Sequence, residues 1–254
     1  MPRQAGEPQL VVLPECALLF GGHEGEQLVW ASADAPLDLA GELAALAKRF
    51  QVYLVGGTIP ATASDGRVFS RSIVFDDHGQ SLGHYDKLHL FDVDVSDNTR
   101  AYRESDTFCG GEQLSVVPTP FGQLGQTVCY DLRFSDLFRA LRLQGAELIV
   151  VPAAFTKVTG AAHWEVLLRA RAIESQCYIL AAGQWGAHNQ GGRETWGQSM
   201  IVDPWGRIIA QKPTGTGWVQ AEINRAQLAQ IRQDMPVCQH NRFAAPVLQP
   251  LQHK

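Results

Sequence analysis

Short apolar runs rich in branched side chains recur along the chain, separated by tight turns in some places and by stretches of helical spacing in others. Leu10 to Pro14, Val52 to Ile59, Val68 to Phe75, Ser81 to Lys87, Leu114 to Pro118, Leu124 to Cys129, Glu147 to Pro152, Tyr178 to Gly183 and Gly217 to Ile223 read as strands. Asp76-Asp77-His78-Gly79, Pro120 to Gly122 and Asp203-Pro204-Trp205-Gly206 carry turn chemistry between neighbouring strands. Leu39, Leu43, Leu46 and Phe50 recur at helical spacing, which predicts an amphipathic helix from about Leu37 to Phe50. Further helices are expected after Ser135, which can cap one that ends before Gly145, from about His163 to Ser175, and after Asn224. Hairpins joining several strands argue against a purely parallel doubly wound sheet, so an α/β fold with a mixed sheet, or two stacked sheets with helices outside, is expected.

The chain has 254 residues, 45% of them apolar, which is enough for a large core, and no linker or charge block divides it; a single domain over 1–254 is expected. Its net charge of −5 with scattered Lys and Arg offers no stripe for nucleic acid. No apolar run approaches the roughly 20 residues needed to span a bilayer. The apolar stretch near the N-terminus is short and follows Glu7, unlike a signal peptide, so a cytoplasmic protein is expected. The five cysteines (Cys16, Cys109, Cys129, Cys177, Cys238) are odd in number and show no disulfide framework or metal-ligand spacing, which points to reduced thiols and to no metal site.

Three residues carry candidate chemistry. Cys129 ends an apolar strand and is followed by the polar turn Tyr130 to Phe134, so backbone N–H groups could activate the thiol and later hold an oxyanion; a buried structural thiol is the competing reading. Lys87 stands among apolar and aromatic neighbours, where it could be a fixed cation or a snorkelling surface lysine. Glu15 directly follows the strand Leu10 to Pro14, and could be a general base or an exposed loop residue.

Taken together, VLPE, YDKLHLFD and VCYDLRF, in this order, resemble the three signature blocks of the nitrilase superfamily of carbon–nitrogen hydrolases, and the likeness runs from about Leu10 to Pro246. The resemblance implies an α-β-β-α sandwich of two mixed sheets and a Glu-Lys-Cys triad. By position, Glu15 would be the general base, Lys87 the oxyanion-stabilising cation and Cys129 the nucleophile; the Tyr130 N–H would be a second oxyanion donor, and Glu104 would position the substrate and Lys87. No metal or organic cofactor is implied. Tyr130-Asp131 after the nucleophile, Gln144 to Glu147, His163 to Glu165, Arg169 to Glu174 and Asn241 to Phe243 resemble the amidase branches that act on deaminated glutathione or α-ketoglutaramate. The first of these substrates is expected, in a metabolite-repair role, with α-ketoglutaramate as the runner-up. An inactive binding protein on the same fold would also fit the resemblance, though an intact triad disfavours it. So would an N-acyltransferase, but relatives of that kind typically carry membrane spans. Arg133 would clamp a substrate carboxylate or else pair with Asp131 or Asp136; Phe155 and Thr156 would line the pocket, and Asp94 to Tyr102 would shape it. Homodimerisation or higher assembly is expected through the helix after His163 and a C-terminal tail of about 236–254. Relatives place a further strand and helix ahead of the general base, whereas Glu15 lies only fourteen residues after Met1, so the usual first strand and helix are expected to be missing.

Overall fold

A computed structural model describes residues 7–20, 24–95, 101–188 and 193–250. The first sheet contains β1 (Leu10–Val12), β2 (Tyr53–Val55), β3 (Ile59–Thr62), β4 (Val68–Phe75) and β5 (Ser81–Asp86). β1 pairs parallel with β2, and β4 pairs antiparallel with β2, β3 and β5. A short hairpin follows, β6 (Asp92–Asp94) with β7 (Ala101–Arg103). The second sheet has six strands: β8 (Val116–Thr119), β9 (Gly122–Gln126), β10 (Leu148–Ala153), β11 (Tyr178–Gly183), β14 (Ser199–Val202) and β15 (Ile208–Lys212), in the order β15-β14-β11-β10-β9-β8. Its centre, β9-β10-β11, is parallel and its margins antiparallel. A second hairpin, β12 (Trp185–His188) with β13 (Arg193–Trp196), stands beside the end of β11. The helices are α1 (Glu24–Ala31), α2 (Leu39–Phe50), α3 (Ser135–Leu143), α4 (Lys157–Ser175), α5 (Arg225–Asp234) and α6 (Val237–His240).

The layers follow from side-chain alternation. On β10, Leu148 and Val150 face one way and pack with Val55, Val74, Leu124 and Leu180, joining the two sheets. Ile149 and Val151 face the other way and pack under Leu137, Leu141, Trp164 and Leu168 of α3 and α4. Across the first sheet, Leu39, Leu43 and Ala47 of α2 cover Val11, Leu54 and Phe75. Each fully buried leucine in these layers contributes roughly 2 kcal/mol. The result is the expected α-β-β-α sandwich of mixed sheets.

Several local expectations change. The run Val52 to Ile59 is two strands, broken where Gly57 takes φ +70° and lies so close to Pro14 that a Cβ would sit 2.0 Å from the Pro14 carbonyl oxygen. The strand ahead of Cys129 ends at Gln126. Ser135 begins α3 without capping it, α4 starts earlier than expected behind its Thr156 cap, and 217–223 is not a strand. Asn224 caps α5 as expected, accepting from the Gln227 N–H at 2.9 Å.

Candidate active site

Glu15, Lys87 and Cys129 come from three separate segments, and the fold brings them together. Glu15 lies in the turn just beyond β1, where Gly57 allows close approach of the neighbouring chain. This turn is fixed from two sides: the Cys16 N–H donates to Thr58 Oγ1 at 2.9 Å, and Gln184 Nε2 donates to the Glu15 carbonyl at 3.0 Å. The Glu15 carboxylate accepts from Lys87 Nζ at 3.1 Å and from the Ala154 N–H, just past β10, at 2.8 Å. Lys87 follows β5 and is 2% exposed. Its Nζ also reaches both oxygens of Glu104, at 2.9 and 2.8 Å. Glu104 is oriented in turn by the Phe91 N–H at 2.6 Å.

Burial pushes the Lys87 ammonium down, but the charges of Glu104 and then Glu15 outweigh it and hold it well above the usual lysine range. Burial raises the Glu104 carboxyl, against the pull of Lys87.

Cys129 does not end a strand. It opens a 3-10 turn, Cys129–Arg133, with φ +49°, a left-handed conformation that costs a β-carbon-bearing residue about 1 kcal/mol. Asp131 holds that turn. Its fully buried carboxylate accepts from the Val128 N–H at 2.9 Å, from Tyr85 Oη at 2.7 Å and from the His89 N–H at 3.1 Å, and His89 Nδ1 lies 2.7 Å away. One carboxylate thus ties the Cys129 turn to the segment that carries Lys87. The activation expected from backbone N–H groups does not dominate the thiol. Burial first, then Glu15, push Cys129 well above the ordinary thiol range against the pull of Lys87, and a hydrogen bond with Glu15 adds to the rise. The thiol thus stands under the opposing influence of the Glu15 carboxylate and the Lys87 ammonium.

Arg133 lies over the Tyr130 ring at 5.7 Å and the Phe155 ring at 5.3 Å, with Nη1 3.2 Å from His163 Nδ1. It forms no ion pair with Asp131 or Asp136, since Asp131 is taken by Tyr85 and His89. Phe155 is buried against Trp164. Thr156 is buried too, and its hydroxyl caps α4, accepting from the Thr159 N–H at 3.4 Å. The stretch Asp94 to Tyr102 falls partly outside the described residues; its two ends pair as β6 and β7. Sequence reading passed over Asp131, Tyr85, His89 and Gln184 as site residues. The signal that could have found the first three was an acid two positions after the cysteine facing Tyr and His on either side of the lysine. Among the described residues, no group of three or more His, Cys, Asp or Glu could hold a metal ion, and no helix is long and apolar enough to cross a membrane.

Comparison with known proteins places the chain in a family. A carbon-nitrogen hydrolase family model matches residues 2–233. A protein of Yersinia enterocolitica named deaminated glutathione amidase is 50% identical, over 94% of this chain and 84% of its own length. An omega-amidase of Xenopus tropicalis is 37% identical, over 92% of this chain and 83% of its own. Among solved structures, Nit3 of Saccharomyces cerevisiae, described as a member of branch 10 of the nitrilase superfamily, superposes with a TM-score of 0.79 at 31% identity, covering 92% of this chain and 83% of that one. With its sandwich fold and a family model matching most of its length, the chain belongs to the carbon–nitrogen hydrolase family, within the nitrilase superfamily.

Proposed function

We propose that this amidase hydrolyses deaminated glutathione through a Cys129 thioester, with Glu15 and Lys87 completing the triad. The observation that carries the reading is the buried Lys87 ammonium, held between Glu15 and Glu104 where its charge and Glu15 both act on the Cys129 thiol. The substrate follows the name of the Yersinia enterocolitica relative, and is compatible with a half-buried Arg133 that has no ion-pair partner among the described residues.

In the resting site the thiol proton points at Glu15. As sulfur attacks the amide carbonyl, that proton passes to the Glu15 carboxylate. The oxyanion is held by Lys87 Nζ and the N–H of Tyr130, the second residue of the 3-10 turn that Cys129 opens. Collapse breaks the C–N bond, and Glu15 returns the proton to the leaving nitrogen. Water then enters, gives a proton to Glu15 and attacks the thioester; the sulfur leaves as thiolate and recovers a proton from Glu15. Glu104 takes no proton in this scheme and acts as a positioning residue for Lys87. Arg133 binds the carboxylate of the acyl half, with Phe155 and Tyr130 beneath it.

We further propose that 1–254 is one hydrolase domain acting in the cytoplasm, where a thiol nucleophile stays reduced, and that it forms a homodimer or higher homo-oligomer. Exposed Val166 and Ile173 on α4, and Phe243 and Val247 in the tail of about 236–254, support a self-contact there. Elution as a monomer in gel filtration would refute the self-association.

The function is tested by parallel kinetics on deaminated glutathione and α-ketoglutaramate. A higher kcat/KM on deaminated glutathione is expected, and Cys129→Ala should lower turnover roughly 10⁴-fold or more with the fold intact. A large preference for α-ketoglutaramate would replace the substrate assignment, and substantial hydrolysis by Cys129→Ala would remove the nucleophile.

A further inference from the structure

Arg193 opens β13 on the Glu15 side of the site. Its Nη2 donates to the Ala154 carbonyl at 3.4 Å, and the N–H of that same residue donates to Glu15. The guanidinium lies over the Phe20 ring at 4.9 Å and the Tyr102 ring at 5.5 Å. Among the described residues, its buried Nε has no hydrogen-bond partner and no carboxylate pairs with Arg193. The neighbouring acid, Glu194, is bound to Lys157. His188, edge-on to Phe20 at 4.3 Å, is shifted toward its neutral form by burial and by Arg193, so it adds no competing charge. A half-buried cation with an unsatisfied, buried Nε donor and two aromatic faces is suited to receive an anion, and the guanidinium fork matches a carboxylate.

The second observation is where this cation stands relative to Arg133. Tyr102 meets Phe91 at 5.1 Å, and Phe91 meets Tyr130 at 5.1 Å. A row of three rings thus runs between two guanidiniums, Arg193 over its first ring and Arg133 over its last. Phe91 also positions Glu104 through its N–H, so the row borders the triad. Arg133 lies at the Cys129 end, where the acyl group stays bound to sulfur. Arg193 lies at the Glu15 end, where the leaving nitrogen receives its proton.

We propose that Arg193 clamps the carboxylate of the leaving-group half of the substrate, so that the site grips a substrate with a carboxylate at each end. This rests on the proposed function: deaminated glutathione carries one carboxylate on its keto-acid half and another on the glycine of the departing cysteinylglycine. α-Ketoglutaramate, which releases ammonia, has nothing for the second clamp to hold, and Arg193 is then a specificity-determining residue.

The test compares kcat/KM for deaminated glutathione with that for its C-terminal carboxamide, in the unmodified enzyme, Arg193→Met and Arg193→Lys. The unmodified enzyme should prefer the carboxylate by about 10–100-fold, the effect of a charge-assisted hydrogen-bond pair. Arg193→Met should bring that ratio to within about twofold, and Arg193→Lys, keeping the charge without the fork, should fall between. An unchanged ratio with equal losses on both substrates overturns the proposal and leaves Arg193 as a support for the Ala154 segment. If the unmodified enzyme turns over neither compound, the substrate assignment fails. Arg193 is then judged by calorimetric binding of cysteinylglycine and its carboxamide to Cys129→Ala protein. Carboxylate-dependent binding that Arg193→Met removes upholds the clamp, and its absence overturns it.

Discussion

Asp131 moves no proton in the proposed mechanism, yet it connects the two halves of the chemistry. Its carboxylate accepts from the backbone just ahead of Cys129 and from Tyr85 and His89 on either side of Lys87. Replacing it with Asn sets an amide N–H₂ against donors already in place and removes a buried charge. Asp131→Asn should cost about 3 kcal/mol of stability and lower kcat, because both the Cys129 turn and the Lys87 segment lose their shared anchor. Tyr85→Phe, which removes one donor of the set, should cost about 1 kcal/mol. Urea denaturation with kinetics on both variants decides, and equal small losses would show that Asp131 anchors nothing. At this scale Glu15, Lys87 and Cys129 were legible because their types and order formed a joint pattern. Asp131 left only a faint trace, an acid two positions after the cysteine with Tyr and His flanking the lysine. Arg193 left none, because nothing along the chain reveals that a side chain's partners come from segments far away in the sequence. The thiol's raised pKa was hidden for the same reason: it depends on burial and on Glu15, which lies 114 residues away.

The elements were legible where one face is buried and turn residues mark the ends. The expected limits Val68 to Phe75 and Tyr178 to Gly183 coincide with β4 and β11. Apolar content misled where close packing decides. Val52 to Ile59 reads as one strand, but Gly57 bends beneath Pro14, and that bend seats Glu15. The β12–β13 hairpin was missed because Gly and polar residues weaken its alternation. It is held instead by the Trp196 N–H donating to the Phe155 carbonyl at 2.9 Å and by the Thr156–Thr195 bridge. Gly160 of α4 permits this docking: a Cβ there would sit 2.2 Å from Trp196 Cβ and 2.4 Å from its Cγ. Helix propensity favours Ala over Gly by about 1 kcal/mol, but a collision next to the β13 backbone cannot be relieved by rotating a flexible tip, and overpacking of this kind costs about 1–3 kcal/mol. Gly160→Ala should therefore lower the melting temperature by roughly 2–6 °C. It should also raise KM for deaminated glutathione, since β13 carries Arg193. A higher melting temperature, followed by thermal denaturation, would mean that the hairpin yields freely and that α4 does not set its position.

Across the whole molecule, the sandwich encloses proton-bearing groups whose charged or neutral state the core controls. Cys16 is pushed up to about 12 by burial and then by Glu15. Burial raises Cys129 well above the ordinary thiol value of 9.0, and raises Cys177 as well. Burial and Asp131 hold Tyr85 well above the ordinary 10.0. Each of these groups keeps its proton in the folded chain at a pH where the unfolded chain has released it. Above about pH 9 the unfolded state thus binds fewer protons than the folded state, and stability must fall as pH rises. Lys87 acts in the same direction: held above its ordinary 10.5 by Glu104 and Glu15, its contribution is whole below that value and is lost as pH climbs through the folded pKa. Below about pH 8 none of these groups changes its proton between the two states. Each buried thiol contributes a slope of up to about 1.4 kcal/mol per pH unit once the unfolded thiols titrate. Urea midpoints should therefore be insensitive to these groups near neutrality and drop steeply between about pH 9 and 10.5. Cys177→Ala, which removes a fully buried thiol, should make that drop shallower by removing one titrating group, whatever it does to stability near neutral pH. Midpoints that hold constant through about pH 10.5 would mean that the thiols reach water before the chain unfolds, and that the sandwich does not seal its own active-site sulfur.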